Sequence, residues 1–453
     1  MGEAAEPVDL LVIGGGPGGY TAALRAAALG RAVTLVERGP VGGVCLNVGC
    51  IPSKMLIDTA GAVDTASRLT GVPGEPDLRT WQGERAKVVG DLGAGITELL
   101  RRAGVRTVSG SARFTGRNRV AVTRPDAAAT FLQFRHAVIA TGSRPQGPAG
   151  LGGPGLLDST ATLALDEVPR ALVVLGAGYI GIELATAFAK LGSEVTVLEV
   201  RDRILPGLPA MLAGPVARRL TELGVTVHTG AKAVDVTERH VRFEVGRRPH
   251  TAAAEKVLVA TGRRPNTDNL GLEAARVPVD PAGLIAVGID MRVPGTDIAA
   301  IGDVVAGPAL AHKATAEAEV AAEALSGRPA AFDPVAVPVV VFSDPEIASA
   351  GHTVESARAA GMRATATTVP STAIGRAVAL NARHGFTQVV VDTDRDVIVG
   401  VHLAGPHASE LIAEGVLALE MAASPGDLAA TVHPHPTLSE GLHLAAAHAR
   451  QPP

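Results

Sequence analysis

Residues 8–19 read VDLLVIGGGPGG, an apolar run that ends in a cluster of glycines. The run has the length and flanks of a buried strand, and the alanine-rich stretch that follows it to Gly30 indicates a helix. Residues 32–37 indicate a second strand that ends at the acid Glu37. Such a glycine turn lets the backbone approach a pyrophosphate, and the acid accepts hydrogen bonds from a ribose. The stretch predicts a dinucleotide-binding unit whose fingerprint glycines are Gly14, Gly16 and Gly19.

The same pattern returns from residue 172, where the chain reads LVVLGAGYIG. Glu37 lies 23 positions after Gly14, and Glu199 lies 23 positions after Gly176. One glycine fingerprint is weak support, and either loop taken alone can be a plain tight turn. Two copies with one spacing predict two nucleotide-binding domains, the second with the fingerprint Gly176, Gly178 and Gly181.

The acid at the end of the second unit bears on the choice of nucleotide. Glu199 would repel a 2′-phosphate, which favours NAD over NADP. Arg201 and Arg203 lie close by in the sequence and weaken that preference, because an arginine can hold the phosphate.

A second internal repeat supports the prediction of two related domains. Residues 138–145 read VIATGSRP and residues 258–265 read LVATGRRP, each typical of a strand that closes a nucleotide domain. Boundaries follow at the glycine- and proline-rich stretch near residue 150 and near residue 270. From residue 338 separated strands and helices indicate an α+β domain without a glycine fingerprint, and the tail beyond residue 444 is predicted to be loosely ordered.

The bulk composition indicates a multidomain enzyme of the cytoplasm. A chain of 453 residues is too long for one hydrophobic core, and a net charge of −4 argues against a nucleic-acid partner. The N-terminus lacks the pattern of a signal peptide, and no apolar run is long enough to span a membrane. Two cysteines do not make a secreted disulfide framework, so a reducing compartment is predicted.

Those two cysteines, Cys45 and Cys50, lie in the sequence GGVCLNVGCIPSK of residues 42–54. Five helical residues rise roughly 7.5 Å, beyond the usual disulfide Cα separation of about 4.4–6.8 Å. If the two cysteines bridge, the chain between them is not a regular helix, and Asn47 and Gly49 permit such a distortion. The position after the first fingerprint suggests a disulfide used for electron transfer. Two inert thiols and half of a metal site are the alternatives.

Residues 433–440 read HPHPTLSE and supply the best candidate for an acid/base group. Histidine titrates near neutral pH, and a carboxylate can fix its tautomer. Glu440 follows His435 by five residues and can fold back to do this. A His-x-His metal site and a proline-stiffened turn are the alternatives.

Three single charged residues lie next to these motifs or in segments that could contact a cofactor. Lys54 lies one helical turn after Cys50, and Glu183 lies just after the second fingerprint. Asp303 follows a glycine and can bond the ribityl hydroxyls of a flavin. A solvated surface charge is the alternative for each of them.

With these motifs the sequence resembles the FAD-dependent, dimeric pyridine nucleotide-disulfide oxidoreductases, and within them the dihydrolipoamide dehydrogenase branch. The resemblance covers nearly the whole chain. The stretches that carry it are 42–54, 176–183, 300–303 (AIGD), 310–314 (LAHKA) and 433–440. Phe342 and Ser343 stand where relatives have Tyr-Thr, a departure predicted to alter a contact at the domain junction.

The resemblance implies an α/β fold with two Rossmann-like dinucleotide-binding domains, for FAD and NAD, and a C-terminal α+β dimerisation domain. The implied ranges are 1–150 for the first part of the FAD domain, 151–270 for the NAD domain, 271–337 for the continuation of the FAD domain and 338–453 for the dimerisation domain. The implied activity is oxidation of protein-bound dihydrolipoamide with reduction of NAD⁺. The implied partners are a second copy of the chain and the lipoyl-domain proteins of 2-oxo acid dehydrogenase or glycine-cleavage complexes.

The resemblance also implies a role for each site residue. Cys45 is implied as the interchange thiol, Cys50 as the thiol beside the flavin, and Lys54 as the charge near flavin N5. His435, paired with Glu440, is implied as the base that acts on the other subunit's site. The implied FAD contacts are Gly14, Gly16, Gly19, Glu37, Lys54, Thr141, Gly142, Asp303 and Ala311. The implied NAD contacts are Gly176, Gly178, Gly181, Glu183, Glu199 and Gly262. No metal is implied.

Two other functions compete with this interpretation. A reductase of a small disulfide such as glutathione or mycothione disulfide shares the Cys-x4-Cys and His-Pro elements, but its NADPH-using members usually carry arginines at the Glu199 position. Mercuric reductase is disfavoured because the chain has no C-terminal cysteine pair. A non-catalytic subunit that retains the fold is disfavoured by the presence of both cysteines, His435 and Glu440.

Overall fold

The structure is a computed structural model that describes residues 5–72, 74, 76–125 and 127–450. A parallel sheet in the order β3-β2-β1-β6, extended by antiparallel β5 and β4, forms the first layer. Strand β1 pairs with β2 and β6 in parallel, so the glycine loop after β1 opens at the carboxyl edge of the sheet. The elements of this part are β1 (Glu6–Ile13), α1 (Pro17–Ala28), β2 (Val33–Glu37), α2 (Gly43–Val48), α3 (Cys50–Thr70), α4 (Leu78–Arg102), β3 (Arg106–Ser109), β4 (Ser111–Gly116), β5 (Arg119–Arg124), β6 (Ala127–Ile139) and β7 (Ser143–Pro145).

A second parallel sheet, in the order β11-β10-β9-β15-β8, repeats the design around the second glycine loop. An antiparallel sheet β12-β13-β14 lies between β11 and β15 in the chain, and β16 pairs with β7. The elements are β8 (Leu156–Leu157), α5 (Ser159–Thr162), β9 (Ala171–Leu175), α6 (Tyr179–Lys190), β10 (Glu194–Glu199), α7 (Ala210–Glu222), β11 (Thr226–Thr229), β12 (Ala231–Val236), β13 (His240–Val245), β14 (Arg248–Ala253), β15 (Lys256–Val259) and β16 (Arg263–Pro265).

The chain then returns to the first sheet and ends in a third one. Strand β17 pairs with β6 in parallel, and α8 packs on α1. The last sheet is antiparallel, in the order β18-β19-β22-β21-β20, with α11 and α13 against it. The elements are β17 (Ile298–Ala300), α8 (Ala311–Leu325), β18 (Val339–Val341), β19 (Ile347–Gly351), α9 (Val354–Ala359), β20 (Ala364–Pro370), α10 (Gly375–Ala379), β21 (Phe386–Asp392), β22 (Val397–Ala404), α11 (Ala408–Glu420), α12 (Pro425–Ala430) and α13 (Glu440–Ala449).

The structure corrects the prediction of a loosely ordered tail. Helix α13 continues to Ala449, and Leu442, Ala445 and Ala446 are fully buried against the last sheet. Small apolar residues at helical spacing bury one face of the helix, and this packing orders the chain. Residues 451–453 lie outside the described part.

Two further sequence predictions bear on the architecture. The boundaries at residues 150, 270 and 337 stay predictions. Among the described helices, none has the length and apolar character needed to cross a membrane.

Candidate active site

A cleft of about 470 Å³ brings most of the predicted site residues together. It is lined by the first glycine loop, the two cysteines, the start of α6 and the turn after β17. The predicted residues that line it are Gly14, Gly16, Glu37, Cys45, Cys50, Lys54, Thr141, Gly142, Glu183, Asp303 and Ala311. Those outside its lining are Gly19, Gly176, Gly178, Gly181, Glu199, Gly262, His435 and Glu440. A wider depression of about 740 Å³ around residues 264–283 contains none of them.

The chain between the cysteines breaks into two helices at Gly49. Helix α2 ends at Val48, Gly49 has φ −132° and ψ −107°, and Cys50 is the first residue of α3. A Cβ on Gly49 would lie 2.9 Å from the Val44 carbonyl oxygen, so a larger residue does not fit. Of the two residues that the sequence offered for a distortion, Gly49 is where the helix breaks, and it does so with both cysteines as free thiols. Asn47 stays helical, and its side-chain amide donates to the Gly43 carbonyl oxygen at 2.9 Å.

The two thiols interact directly, and the contact divides their protonation between them. A hydrogen bond from Cys45 lowers the pKa of Cys50 to about 7, a shift that partial desolvation in the cleft opposes and the positive charge of Lys54 reinforces. The same hydrogen bond, together with burial, raises the pKa of Cys45. The position of Cys50 at the N-terminus of a 21-residue helix also favours a thiolate. Of the two thiols of the reduced pair, Cys50 is therefore the one that loses its proton more readily.

Lys54 and Glu183 form an ion pair across two helices beside the thiols. Lys54 Nζ lies 2.8 Å from Glu183 Oε2, and the Glu183 side chain is only 5% exposed. The other oxygen of Glu183 accepts a hydrogen bond from the backbone N–H of Phe342 at 2.9 Å. Sequence reasoning did not connect Phe342 with the site; its one signal was the departure from the family pattern at residues 342–343.

The backbone of the first glycine loop leaves no room for a side chain at Gly14 or Gly19. Gly14 has φ +103°, and a Cβ there would lie 2.3 Å from the Ala140 carbonyl oxygen. A Cβ on Gly19 would lie 1.8 Å from the Gly14 carbonyl oxygen. The Glu37 carboxylate accepts from Gly15 N–H at 2.6 Å, so it closes the loop. This geometry fits a nucleotide held by backbone N–H groups.

The second loop has the same geometry. A Cβ on Gly181 would lie 2.0 Å from the Gly176 carbonyl oxygen, and Gly176 has φ +98°. Glu199 is buried and accepts from the N–H groups of Ala177 at 2.7 Å and Arg201 at 2.8 Å. The two loops therefore share one design in structure as in sequence.

Two consecutive hydrogen bonds hold the Asp303 carboxylate, and the sequence did not predict them. Ser143 Oγ donates to the Asp303 carboxylate, and Arg263 Nε donates to Ser143 Oγ at 2.7 Å. Ser143 and Arg263 occupy equivalent positions in the two repeated stretches, which was the available signal. Thr141 Oγ1 donates to the Asn266 carbonyl oxygen at 2.8 Å, so its hydroxyl is already used within the chain.

His435 and Glu440 form the predicted pair away from the cleft of their own chain. His435 Nδ1 lies 2.8 Å from Glu440 Oε1, and Glu440 Oε2 accepts from the backbone N–H of Thr437 at 2.9 Å. The hydrogen bond from His435 lowers the pKa of Glu440. The His435 side chain is 78% exposed, and neither residue lines the cleft with Cys45. Within one chain, the His435–Glu440 pair and the thiols are separate.

Two family models cover nearly the whole chain. Residues 8–318 match the model described as pyridine nucleotide-disulphide oxidoreductase, and residues 337–446 match the dimerisation domain of the same family. The chain belongs to the pyridine nucleotide-disulphide oxidoreductase family. The fold predicted from the sequence, with two nucleotide-binding sheets and a dimerisation domain, is confirmed.

Individual relatives of this oxidoreductase agree with that assignment. Dihydrolipoyl dehydrogenase of Geobacillus stearothermophilus is 47% identical over 450 residues, which span 97% of this chain and 96% of the relative. Among solved structures, LpdA from Mycobacterium tuberculosis has a TM-score of 0.91 at 28% identity and covers 98% of this chain and 100% of its own. The flavoprotein disulfide reductase RclA from Escherichia coli has a TM-score of 0.87 at 28% identity, covering 97% and 99%. The dihydrolipoyl dehydrogenases of the family use FAD and NAD(H).

Replacing Gly19 by Ala in this oxidoreductase is expected to abolish flavin binding. The new methyl group would displace the Gly14 carbonyl oxygen and open the loop that fits the pyrophosphate. The measurement is the flavin-to-protein absorbance ratio after purification, expected to fall at least about tenfold. Gly61→Ala, at a helical glycine whose Cβ would meet nothing within 4 Å, is the matched control and should keep its flavin. Full flavin in Gly19→Ala would contradict the interpretation of this loop.

Proposed function

We propose that this chain oxidises protein-bound dihydrolipoyl groups to lipoyl groups and reduces NAD⁺ to NADH, as a homodimer that binds FAD. The observation that carries the proposal is the thiol pair at the Gly49 break, inside a cleft that the first glycine loop and the start of α6 both line. A dihydrolipoyl dehydrogenase that is 47% identical over nearly full length supports the choice of substrate.

The different proton affinities of the two thiols suit disulfide exchange. In the oxidised pair, a substrate thiolate attacks Cys45 sulfur, a new S–S bond forms to the substrate, and Cys50 leaves as a thiolate. The second substrate thiolate then attacks the substrate sulfur of this mixed disulfide and releases Cys45, which takes up a proton. The substrate leaves as a cyclic disulfide, and the cysteine pair has gained two electrons. A thiol of low pKa leaves faster, so Cys50 is suited to the first step.

Both substrate thiols must lose a proton before they attack. His435 of the partner subunit is proposed as the base that accepts it, with Glu440 holding its ring through the 2.8 Å hydrogen bond. In one chain His435 is exposed and outside the cleft, which is what a residue that serves the other subunit requires. The dimerisation domain supports such an arrangement.

The residues of the two loops are proposed to hold the cofactors. Gly14, Gly16, Gly19 and Glu37 would hold the FAD nucleotide, with Lys54, Thr141, Gly142, Asp303 and Ala311 along the rest of it. Gly176, Gly178, Gly181, Glu183, Glu199 and Gly262 would hold NAD. When bound, FAD supplies the two-electron chemistry that connects the cysteine pair with NAD⁺.

The partners beyond the dimer are proposed from the substrate. Lipoyl groups on 2-oxo acid dehydrogenase or glycine-cleavage proteins are the dihydrolipoyl donors that the proposal requires. A cytoplasmic location is proposed because a thiol pair that must cycle is suited to a reducing compartment.

The test is an anaerobic assay of the purified flavoprotein with two sets of substrates. NAD⁺ reduction by dihydrolipoamide is compared with NADH- and NADPH-driven reduction of glutathione and mycothiol disulfides. Fast dihydrolipoamide oxidation supports the proposal. Turnover of a small disulfide alone would instead favour a reductase of such disulfides; RclA, whose fold is similar, is described as a flavoprotein disulfide reductase.

NAD⁺ is expected to be preferred over NADP⁺ by about 100-fold in kcat/KM, because a buried carboxylate at the adenosine ribose repels a 2′-phosphate. Arg203 does not offset this, since its guanidinium donates to the carbonyl oxygens of Pro206 at 3.2 Å and Leu208 at 2.9 Å. Kinetics with both nucleotides measure the ratio, and Glu199→Ser should reduce it. Equal use of the two nucleotides by the unaltered enzyme would contradict this role of Glu199.

A further inference from the structure

Phe342 contacts both members of the Lys54–Glu183 ion pair. Its backbone N–H donates to Glu183 Oε1 at 2.9 Å, and Lys54 Nζ lies 4.4 Å from the centroid of its ring. Lys54 Nζ also lies 2.8 Å from Glu183 Oε2. One residue, directly after β18, therefore donates a hydrogen bond to a buried carboxylate and presents an aromatic face to the ammonium that balances it.

This contact is needed because the two partners differ in how firmly the fold holds them. Glu183 is almost completely buried on α6, whereas the Lys54 side chain is 30% exposed at the edge of the cleft. A lysine has four rotatable bonds and does not keep one position without further contacts. The ring of Phe342 supplies such a contact, since an ammonium is attracted to an aromatic face at this distance.

The position of Phe342 is fixed in turn by an ion-pair cluster two residues later. Asp344 Oδ2 lies 2.8 Å from Lys190 Nζ and 2.9 Å from Arg219 Nε. Arg219 also reaches Asp64 on α3 at 3.0 Å. Burial raises the pKa of Asp344, but the two cations outweigh it and hold that pKa below its usual value. Three helices from different parts of the chain therefore anchor the segment 342–344.

We propose that Phe342 is a positioning residue that fixes the Lys54 ammonium beside Cys50, and that the cluster around Asp344 keeps Phe342 in place. The proposal rests on the proposed function for its meaning, because the Cys50 thiolate is the leaving group of the exchange. Its physical content is independent of the substrate: Phe342 sets how much of Cys50 is thiolate at a given pH.

The groups that act on the charge of Cys50 come from three helices. Cys45 on α2 and Lys54 on α3 favour the thiolate, and Glu183 on α6 opposes it. Tyr179, also on α6, is close enough to interact with Cys50. A lysine that leaves its place takes positive charge away while Glu183 stays. Loss of the Phe342 ring must therefore raise the pH at which Cys50 titrates.

The experiment measures Cys50 alone. The chain has two cysteines, so Cys45→Ser leaves Cys50 as its sole thiol, and the thiolate absorbance in the ultraviolet can be titrated in the flavin-loaded protein. Adding Phe342→Leu, which keeps an apolar side chain without an aromatic face, is expected to raise the midpoint by about half a pH unit, roughly a threefold loss of thiolate. Adding Asp344→Asn should raise it in the same direction.

Two further variants in the Cys45→Ser background separate positioning from packing. Phe342→Tyr keeps the aromatic face, so its midpoint should equal that of Cys45→Ser alone. The ring of Phe131 lies under another cation, with its centroid 4.3 Å from Arg119 Cζ, and neither residue lines the cleft. Phe131→Leu therefore removes a comparable aromatic face and should leave the midpoint unchanged. An unchanged midpoint in Phe342→Leu, or an equal shift in Phe342→Tyr, would overturn the proposal. The titration involves no dihydrolipoyl substrate. The proposed reaction can therefore fail while this inference stands, and this inference can fail while the proposed reaction stands.

Discussion

Replacing Cys45 or Cys50 by Ser is expected to lower kcat for dihydrolipoamide oxidation by at least about 10³-fold, because either change removes a sulfur through which the electrons pass. Serine keeps the shape of the side chain, so the Gly49 break and the cleft should persist. The measurement is NAD⁺ reduction by dihydrolipoamide under anaerobic conditions. A Ser variant that kept a tenth of the activity would exclude the thiol pair from the reaction.

A second assay on the same variants shows whether the rest of the site is intact. Oxidation of NADH by a dye that takes electrons from flavin requires neither thiol, so both variants should retain it together with their bound flavin. Loss of both activities would indicate a misfolded protein and not a lost redox pair. The comparison therefore assigns any defect to the cysteines themselves.

Replacing His435 by Gln is expected to lower kcat/KM for dihydrolipoamide by about 10²–10³-fold, the usual contribution of a general base. The loss should be largest below neutral pH, where fewer substrate thiols ionise without help. His384→Gln is the matched control, because His384 is also exposed and its Nε2 lies 3.4 Å from a carboxylate oxygen, that of Glu222. A comparable loss in both variants would contradict a specific role for His435.

Mixing two inactive variants tests whether His435 acts on the partner subunit. When Cys45→Ser and His435→Gln chains are unfolded and refolded together, random pairing makes about half of the dimers mixed. Each mixed dimer would have one site with both an intact thiol pair and an intact histidine. About a quarter of the unaltered activity is therefore expected, whereas a site built within one chain would recover none.

The features predicted correctly from the sequence are those that depend on short spacing. The two glycine loops, an interruption of the helix between the cysteines and the His435–Glu440 contact each involve residues within about two dozen positions. Backbone sterics and hydrogen bonds over such distances are nearly the same in every protein that has the motif. For that reason the resemblance to the family and the local geometry agree.

The contacts that were missed connect distant parts of the chain. Phe342 reaches Glu183 across 159 positions, and Arg263 reaches Ser143 across 120. The sequence marked these positions singly, by the departure at residues 342–343 and by the repeated stretch around residues 143 and 263, but it did not indicate which residue each one contacts. The tail was wrongly predicted for a related reason, since alanines order a helix only when another surface covers them. The role of His435 depends on a second chain and stays a prediction.

The Gly49 break has a thermodynamic consequence for the catalytic cycle. A bridge between Cys45 and Cys50 closes a loop of only a few residues, and the chain entropy that it removes from the unfolded state is worth about 2 kcal/mol, against about 4.7 kcal/mol for a 100-residue loop. The oxidised protein should therefore be more stable to denaturant than the reduced protein by about 2 kcal/mol, less than half of what a bridge across a 100-residue loop would add. Each turnover of the proposed reaction breaks and re-forms this bond between side chains, and the change in folding free energy is smaller than it would be for a bridge between distant parts of the chain.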